Sequence, residues 1–336
     1  MRFMRLTKIL PVFIVFTLLA TVMFIFPVNA ESANAAQGIE ISPASVELNA
    51  ARGQTYDINL KITNVTASSL VYSTSVNDFS SADETGAPSI SFDSVLPKTA
   101  SITTWVQTIP EFELKSHEQR TVTVKIVVPN NAEPGGHYGV VSFSGKAPSL
   151  ESTGVGLNAS AGALILIRVD GDIVEKASLS SFYSAQDNKQ NWFFEYSPIT
   201  FVTRIKNEGN IHVKPVGNVE IHDMFGNIVK TLEVGDVKSS VLPSSIRRFD
   251  AQYDGSWMFG KYTANLMIGY GTTGQAITST IDFWVIPYKL ILAVIFIAAT
   301  VIYVLRRLIS VYNKRIIEKA KNEIKNKNKK HESDKN

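Results

Sequence analysis

The sequence predicts an all-β protein, two tandem Ig-like β-sandwich domains, plus one C-terminal transmembrane α-helix. Three observations predict it. Between Gln37 and Ile286 no stretch repeats with a helical period; short runs of alternating apolar and polar residues are instead bounded by Gly, Pro, Asn, Asp and Ser, the pattern of a sandwich. The two halves of that region carry matching turn and strand-entry motifs. Leu290 to Leu305 is uncharged, dominated by Leu, Ile, Val and Phe, and followed by Arg306-Arg307 and a Lys-rich tail, as a membrane span with a positive inner flank would be.

The amino terminus opens with Arg2, Arg5 and Lys8, runs apolar from Ile9 to Phe26 and ends Pro27-Val28-Asn29-Ala30. Basic start, apolar middle and small residues at the end predict a secretory signal over 1–30, cleaved after Ala30. The first domain is predicted over 31–170, with strands at Gly38–Ser42, Ser45–Leu48, Thr55–Thr63, Leu70–Asp78, Ser89–Phe92, Thr103–Gln107, Arg120–Val128, His137–Ser144 and Ala163–Val169. Ile58, Leu60 and Ile62 alternate with Asn59, Lys61 and Thr63, which gives one dry and one wet face. The second domain, 171–286, starts near Asp170-Gly171-Asp172, with strands at Val174–Tyr183, Trp192–Ser197, Phe201–Lys206, Val216–His222, Ile228–Val234, Ser245–Gln252, Gly260–Tyr270 and Ala276–Val285. The membrane helix is expected over 287–305, about 28 Å at 1.5 Å per residue, with Trp284, Tyr288, Lys289, Arg306 and Arg307 at the lipid interfaces. The tail, 306–336, is expected in the cytoplasm near anionic lipid, helical at first and too polar to fold beyond Lys321.

Two motifs recur between the halves. Ile62-Thr63-Asn64 matches Ile205-Lys206-Asn207, each ending a strand before a turn. Gly136-His137-Tyr138 matches Gly260-Lys261-Tyr262, each entering an apolar strand. A Gly-x-Tyr in that place predicts a tyrosine corner, in which the hydroxyl bonds back to nearby backbone.

The opening Gly38-Ile39-Glu40-Ile41-Ser42-Pro43, the Pro134–Gly139 segment, Asn207–His212 and Met224-Phe225-Gly226, together with the single helix and basic tail, resemble the WxL-interacting proteins of bacterial surfaces. The resemblance implies an N-terminal peptidoglycan-binding Ig-like domain and a second domain that engages partner proteins. Asp78–Pro88 and the Gly145–Gly156 loop are where specificity is expected to vary.

Charge must be divided by compartment. The overall +3 includes a tail with eleven Lys/Arg against four Asp/Glu, and an amino-terminal segment of +3. Residues 31–305 therefore carry −7, which argues against nucleic acid as a partner. The absence of cysteine excludes disulfides and thiolate chemistry and fits a bacterial exported protein. His117, His137, His212 and His222 are scattered without metal-ligand spacing, Asp83-Glu84 and Asp170-Gly171-Asp172 lack calcium-loop spacing, and no nucleophile or phosphate-loop motif occurs. No metal, cofactor or enzymatic activity is expected. The candidate binding residues are aromatic: Trp192 and Phe194 in one cluster, Trp257 and Phe259 in another, since consecutive large apolar residues cannot all face inward. The expected role is a membrane-anchored cell-surface binding or adhesion protein that contacts membrane lipid and peptidoglycan, a secreted or surface protein, or both. The alternative is a membrane-tethered assembly factor or chaperone for exported proteins that offers a free sheet edge.

Overall fold

The computed structural model describes residues 38–91, 100–146, 159–255 and 257–333. The secretory signal with its cleavage site, and all of the Gly145–Gly156 loop beyond Lys146, lie outside the described residues. Nine strands form the first sandwich: β1 (Ile39–Ser42), β2 (Ser45–Ala50), β3 (Thr55–Asn64), β4 (Leu70–Ser81), β5 (Pro88–Ser91), β6 (Phe112–Leu114), β7 (Gln119–Val127), β8 (Gly135–Lys146) and β9 (Ala159–Val169). One sheet runs β1-β3-β7 and the other β2-β9-β8-β4-β5, with β6 also on β4. The alternation does what the sequence predicts: Leu60, Ile62, Val124 and Ile126 pack from one sheet against Tyr72, Phe143, Ile165 and Ile167 from the other.

The second sandwich holds β10 (Ala177–Gln186), β11 (Lys189–Gln190), β12 (Phe193–Phe194), β13 (Ile199–Asn207), β14 (Val216–His222), β15 (Ile228–Val234), β16 (Ile246–Tyr253), β17 (Gly260–Tyr270) and β18 (Gln275–Val285). Its sheets run β11-β10-β13-β16 and β12-β18-β17-β14-β15. Phe201, Ile205 and Phe249 meet Val219, Leu266 and Phe283 between them. A single helix, α1 (Tyr288–Ser333), follows β18, and its first part is long and apolar enough to cross a membrane.

The Asn64 and Asn207 repeat is a structural one. Both side chains are fully buried. Asn64 Oδ1 accepts from Thr66 N–H at 3.0 Å, while its Nδ2 donates to the carbonyls of Ser68, Leu114 and Lys115. Asn207 Oδ1 likewise accepts from Gly209 N–H at 2.8 Å, and its Nδ2 donates to the carbonyls of Ile211 and Val241. Each amide thus closes its own turn and ties it to a distant segment of the same sandwich, satisfying carbonyls that water cannot reach.

Four expectations are corrected. Thr103–Gln107 is a tight turn, because Ile102 and Trp105, three residues apart, both enter the core; Trp105 N–H closes the turn on Ile102 O at 2.9 Å. Trp192–Ser197 shrinks to β12, since Asn191 Oδ1 accepts from the Trp192 and Phe193 amides and bends the chain there. The tail does not lose its helix at Lys321: α1 continues to Ser333, because the apolar part has already nucleated it and no Gly or Pro interrupts propagation.

The fourth concerns the two Gly-x-Tyr motifs, which match one residue out of register. Gly135 and Gly260 are the equivalent strand entries, both at positive φ, so His137 is the counterpart of Tyr262. Tyr262 faces the core and accepts from Phe259 N–H at 3.0 Å, the expected corner. His137 faces the other core, 4.4 Å from the Trp105 ring, with Nε2 at 2.9 Å from Glu133 O. Tyr138, one residue on, necessarily points the other way.

A candidate binding cleft between the sandwiches

The outer face of the six-stranded sheet in the first sandwich is apolar at one end, where Phe79 (β4), Tyr138 (β8) and Leu166 (β9) form a small buried cluster with Leu164 and with Leu242 of the second sandwich. This is where the two domains meet. Tyr138 carries the junction: its hydroxyl accepts from His212 N–H at 2.8 Å and lies 3.2 Å from His212 Nδ1. Burial pushes that hydroxyl's pKa up and, as the largest cause, pushes the His212 imidazole down against the opposing pull of Glu47. Beside it, Gly136 N–H donates to Asn210 O at 2.8 Å.

Charged contacts frame the junction. Glu47 on β2 pairs with Lys214 at 2.6 Å. At the tip of the β4–β5 hairpin, Glu84 takes Arg204 in a bidentate pair and accepts from Arg248 N–H through its carbonyl at 2.6 Å. The Arg204 bond holds the Glu84 carboxyl below the usual range. Asp83 closes the same hairpin by accepting from Thr85 N–H at 2.8 Å, so Asp83-Glu84 is a docking turn. At the linker, Glu175 bonds Arg168 at 3.1 Å and Thr272 N–H at 2.6 Å, next to Asp170-Gly171-Asp172. Among the described residues no three His, Asp or Glu side chains gather as metal ligands would.

Next to the junction a cleft of about 580 Å³ stays open, floored by Phe79, Leu164, Leu166 and Leu242 and edged by Ser45, Glu47, Lys238 and Arg247. Two features distinguish it. The Arg247 guanidinium donates to Ser240 O at 2.8 Å and approaches Ser239 Oγ at 3.4 Å, yet no carboxylate among the described residues is within ion-pair distance, and burial lowers its pKa. On the opposite wall, β2 pairs with β9 alone. Leu164 N–H and Asp170 N–H bond the carbonyls of Ala44 and Ala50, so the intervening Ser45, Glu47 and Asn49 turn their backbone groups away from β9, and Ser45 lies in the cleft wall.

The aromatic candidates lie elsewhere. Trp192, Trp257 and Phe259 are exposed at the far end of the second sandwich, whereas Phe194 is 1% exposed. Phe194 is therefore not a binding residue; it stacks edge-on against Phe283 in the core, 6.0 Å between centroids. Gly136, Tyr138 and Gly260 are placed as described above, and Tyr262 stacks on Phe283. Of the expected interface residues, Trp284 is next to last in β18, Tyr288 and Lys289 begin α1, and Arg306 and Arg307 are exposed further along it. Sequence reading missed Glu84, His212 and Arg247. Their signals were turn chemistry around Asp83 and Asn207 and an Arg247-Arg248 pair entering a strand.

No family model matches the sequence, and no curated relative does. Among solved structures, the chain is similar to the YadV chaperone at 14% identity and a TM-score of 0.35, over 73% of this chain and 100% of that one. It is similar to the class 5 fimbriae chaperone CfaA at 12% and 0.38, over 72% and 98%, and to the E. coli chaperone DraB at 11% and 0.32, over 73% and 96%. Likeness at this level says nothing of what the present chain binds. The chain is a two-sandwich, all-β protein with one C-terminal helix able to span a membrane.

Proposed function

We propose that this is a membrane-anchored, non-enzymatic binding protein that holds an extended segment of a secreted or surface protein in the cleft between its sandwiches, as a tethered assembly factor would. The observation that carries the reading is the pairing, in one cleft, of an apolar floor with an open β2 edge at Ser45 and a guanidinium that no carboxylate among the described residues contacts, Asp236 acting on it only from a longer distance. An extended polypeptide supplies all three complements: side chains for the floor, backbone for the edge and a carbonyl or carboxylate for Arg247. Wall glycan is the weaker fit. Every Phe, Tyr and Trp described in the first sandwich is buried or half-buried, so the described residues there offer no aromatic platform for a sugar face. The WxL-interacting resemblance remains compatible with this reading through its partner-binding second domain.

The test uses intact cells. A photo-crosslinking residue at Ser81 or Leu242, both lining the cleft, should trap a discrete protein adduct, and one at Thr278, exposed on β18, should not. The adduct should disappear in Arg247→Glu with the chain still at the membrane. An adduct unchanged by that substitution would remove the cleft from the function.

A further inference from the structure

The exposed aromatic residues are not scattered. Among the described residues of both sandwiches, every exposed Phe, Trp or Tyr is one of Trp192, Tyr196, Phe225, Trp257, Phe259 and Trp284. Strand register puts them at one end of the second sandwich, the end from which α1 departs. Trp284 is the penultimate residue of β18, and its amide donates to Trp192 O at 2.8 Å. Gly260, directly after Phe259, pairs with Val285. The β14–β15 turn reaches the same level: His222 pairs with Thr263, and the Met224 methyl packs so closely over Gly260 that a β-carbon there would lie 2.1 Å away. Glu195, between Phe194 and Tyr196, holds Lys289 of α1 at 2.7 Å, and the Phe193 and Tyr288 rings are 6.4 Å apart.

We infer that this end of the second sandwich is a lipid collar that seats the domain in the interfacial layer of the same membrane α1 crosses. The inference rests on α1 being the anchor. Trp and Tyr favour the layer between hydrocarbon and water, and an exposed apolar patch continuous with a membrane helix has lipid as its immediate neighbour. The side chains are presented by rigid turns: Asp223 Oδ1 accepts from the Phe225 and Asn227 amides, both at 2.9 Å, which fixes Phe225 at a tip with 82% of it exposed. Trp192 and Trp257 are 66% and 68% exposed. Both lysines beside the aromatic residues are paired, Lys261 with Asp282 at 2.8 Å and Lys289 with Glu195, so the seating is apolar and aromatic rather than driven by basic charge. The polar Asp187-Asn188 turn lies at this end too, just beyond Gln186, which limits seating to headgroup depth. The two aromatic clusters thus serve the membrane, not the partner.

The chain has no cysteine, so single nitroxide labels report unambiguously. Full-length protein carrying Phe225→Cys, Trp257→Cys, Thr278→Cys or Ala298→Cys would be reconstituted in bilayers of equimolar phosphatidylcholine and phosphatidylglycerol. Spin relaxation by oxygen, which concentrates in lipid, is then compared with relaxation by a water-soluble nickel chelate. The expected result is an oxygen-to-nickel ratio severalfold higher at 225 and 257 than at 278, approaching that at 298. Ratios at 225 and 257 equal to that at 278, with 298 in lipid, would overturn the collar and leave the anchor standing. A water-accessible 298 would sink both. Shielding of 225 and 257 from both reagents would overturn lipid as the occupant and point to a second copy.

Discussion

The two buried asparagines are sensitive positions, one in each sandwich. Asn207 presents its Nδ2 to two carbonyl oxygens at 2.8 and 2.7 Å. In Asn207→Ala these carbonyls lose their donor, and leaving a buried group unpaired costs about 1–3 kcal/mol. Asn207→Asp, almost the same shape, should be worse, because it sets oxygen against oxygen. Urea unfolding followed by intrinsic fluorescence checks the order, and a harmless Asn207→Asp would show that the amide is not needed. Tyr138→Phe should likewise cost about 1–3 kcal/mol, since it strands the His212 amide. The half-exposed Tyr262 bond to Phe259 should be worth no more than about 1 kcal/mol. His212 also gives the junction a pH dependence whose sign is fixed. Its folded pKa lies below the ordinary 6.5, so the unfolded chain takes up a proton that the folded chain refuses. Nothing is lost above about 6.5; stability falls as pH drops below it until the folded pKa is passed. His137 acts in the same direction because of burial. Stability measured from about pH 7.5 to 5.5 should therefore decline in the native chain and decline less steeply in His212→Gln, with equal slopes contradicting the assignment.

The β4–β5 hairpin shows what one element adds beyond its residues. Glu84 and Arg204 are each about a third exposed in their side chains, so Glu84→Gln alone should cost at most about 1 kcal/mol. Replacing Ala82–Ala87 by Asn-Gly would keep the Ser81 and Pro88 pairing while removing both the carboxylate and the carbonyl that bind the second sandwich. The expected outcome is two separate thermal transitions and a larger radius of gyration by small-angle scattering; a single unchanged transition would assign the coupling to the contacts of Tyr138, Gly136 and Glu47. This contact was not legible in the sequence, for its partners are 120 residues apart and no local pattern records which turn meets which strand. Local pattern did suffice for β14, β15 and β17, whose bounds the alternation predicts to the residue. It failed at Trp105 and at Trp192, where burial at a spacing other than two and a side-chain bond from Asn191 override β propensity. The aromatic clusters were legible as exposed but not as neighbours of α1, because only strand register brings 192, 225 and 257 to the level of 284.

Across the whole molecule, the parts stack in one direction. The linker and the cleft sit at the start of β10 and β16, and α1 leaves from the end of β18. The eleven residues of β18 extend roughly 35 Å at about 3.3 Å each, which, with α1 as the proposed anchor, would hold the cleft well clear of the headgroups. Charge follows the same axis: residues 31–305 carry −7, and the tail after Leu305 holds eleven Lys/Arg against four Asp/Glu. Basic residues resist translocation far more than acidic ones assist it, so the dense cluster starting at Arg306-Arg307 should stay on the cytoplasmic side and the sandwiches outside. In that topology Trp284 and Tyr288 would sit at the outer interface and Arg306 and Arg307 would begin the inner one. Protease added to intact spheroplasts should then digest the chain up to about Trp284, while an epitope tag placed after Asn336 survives on a fragment the size of α1. Permeabilised spheroplasts should lose the tag. Loss of the tag from intact ones, with a cytoplasmic marker protein still protected, would reverse the topology. It would also put the cleft in the wrong compartment for an exported partner.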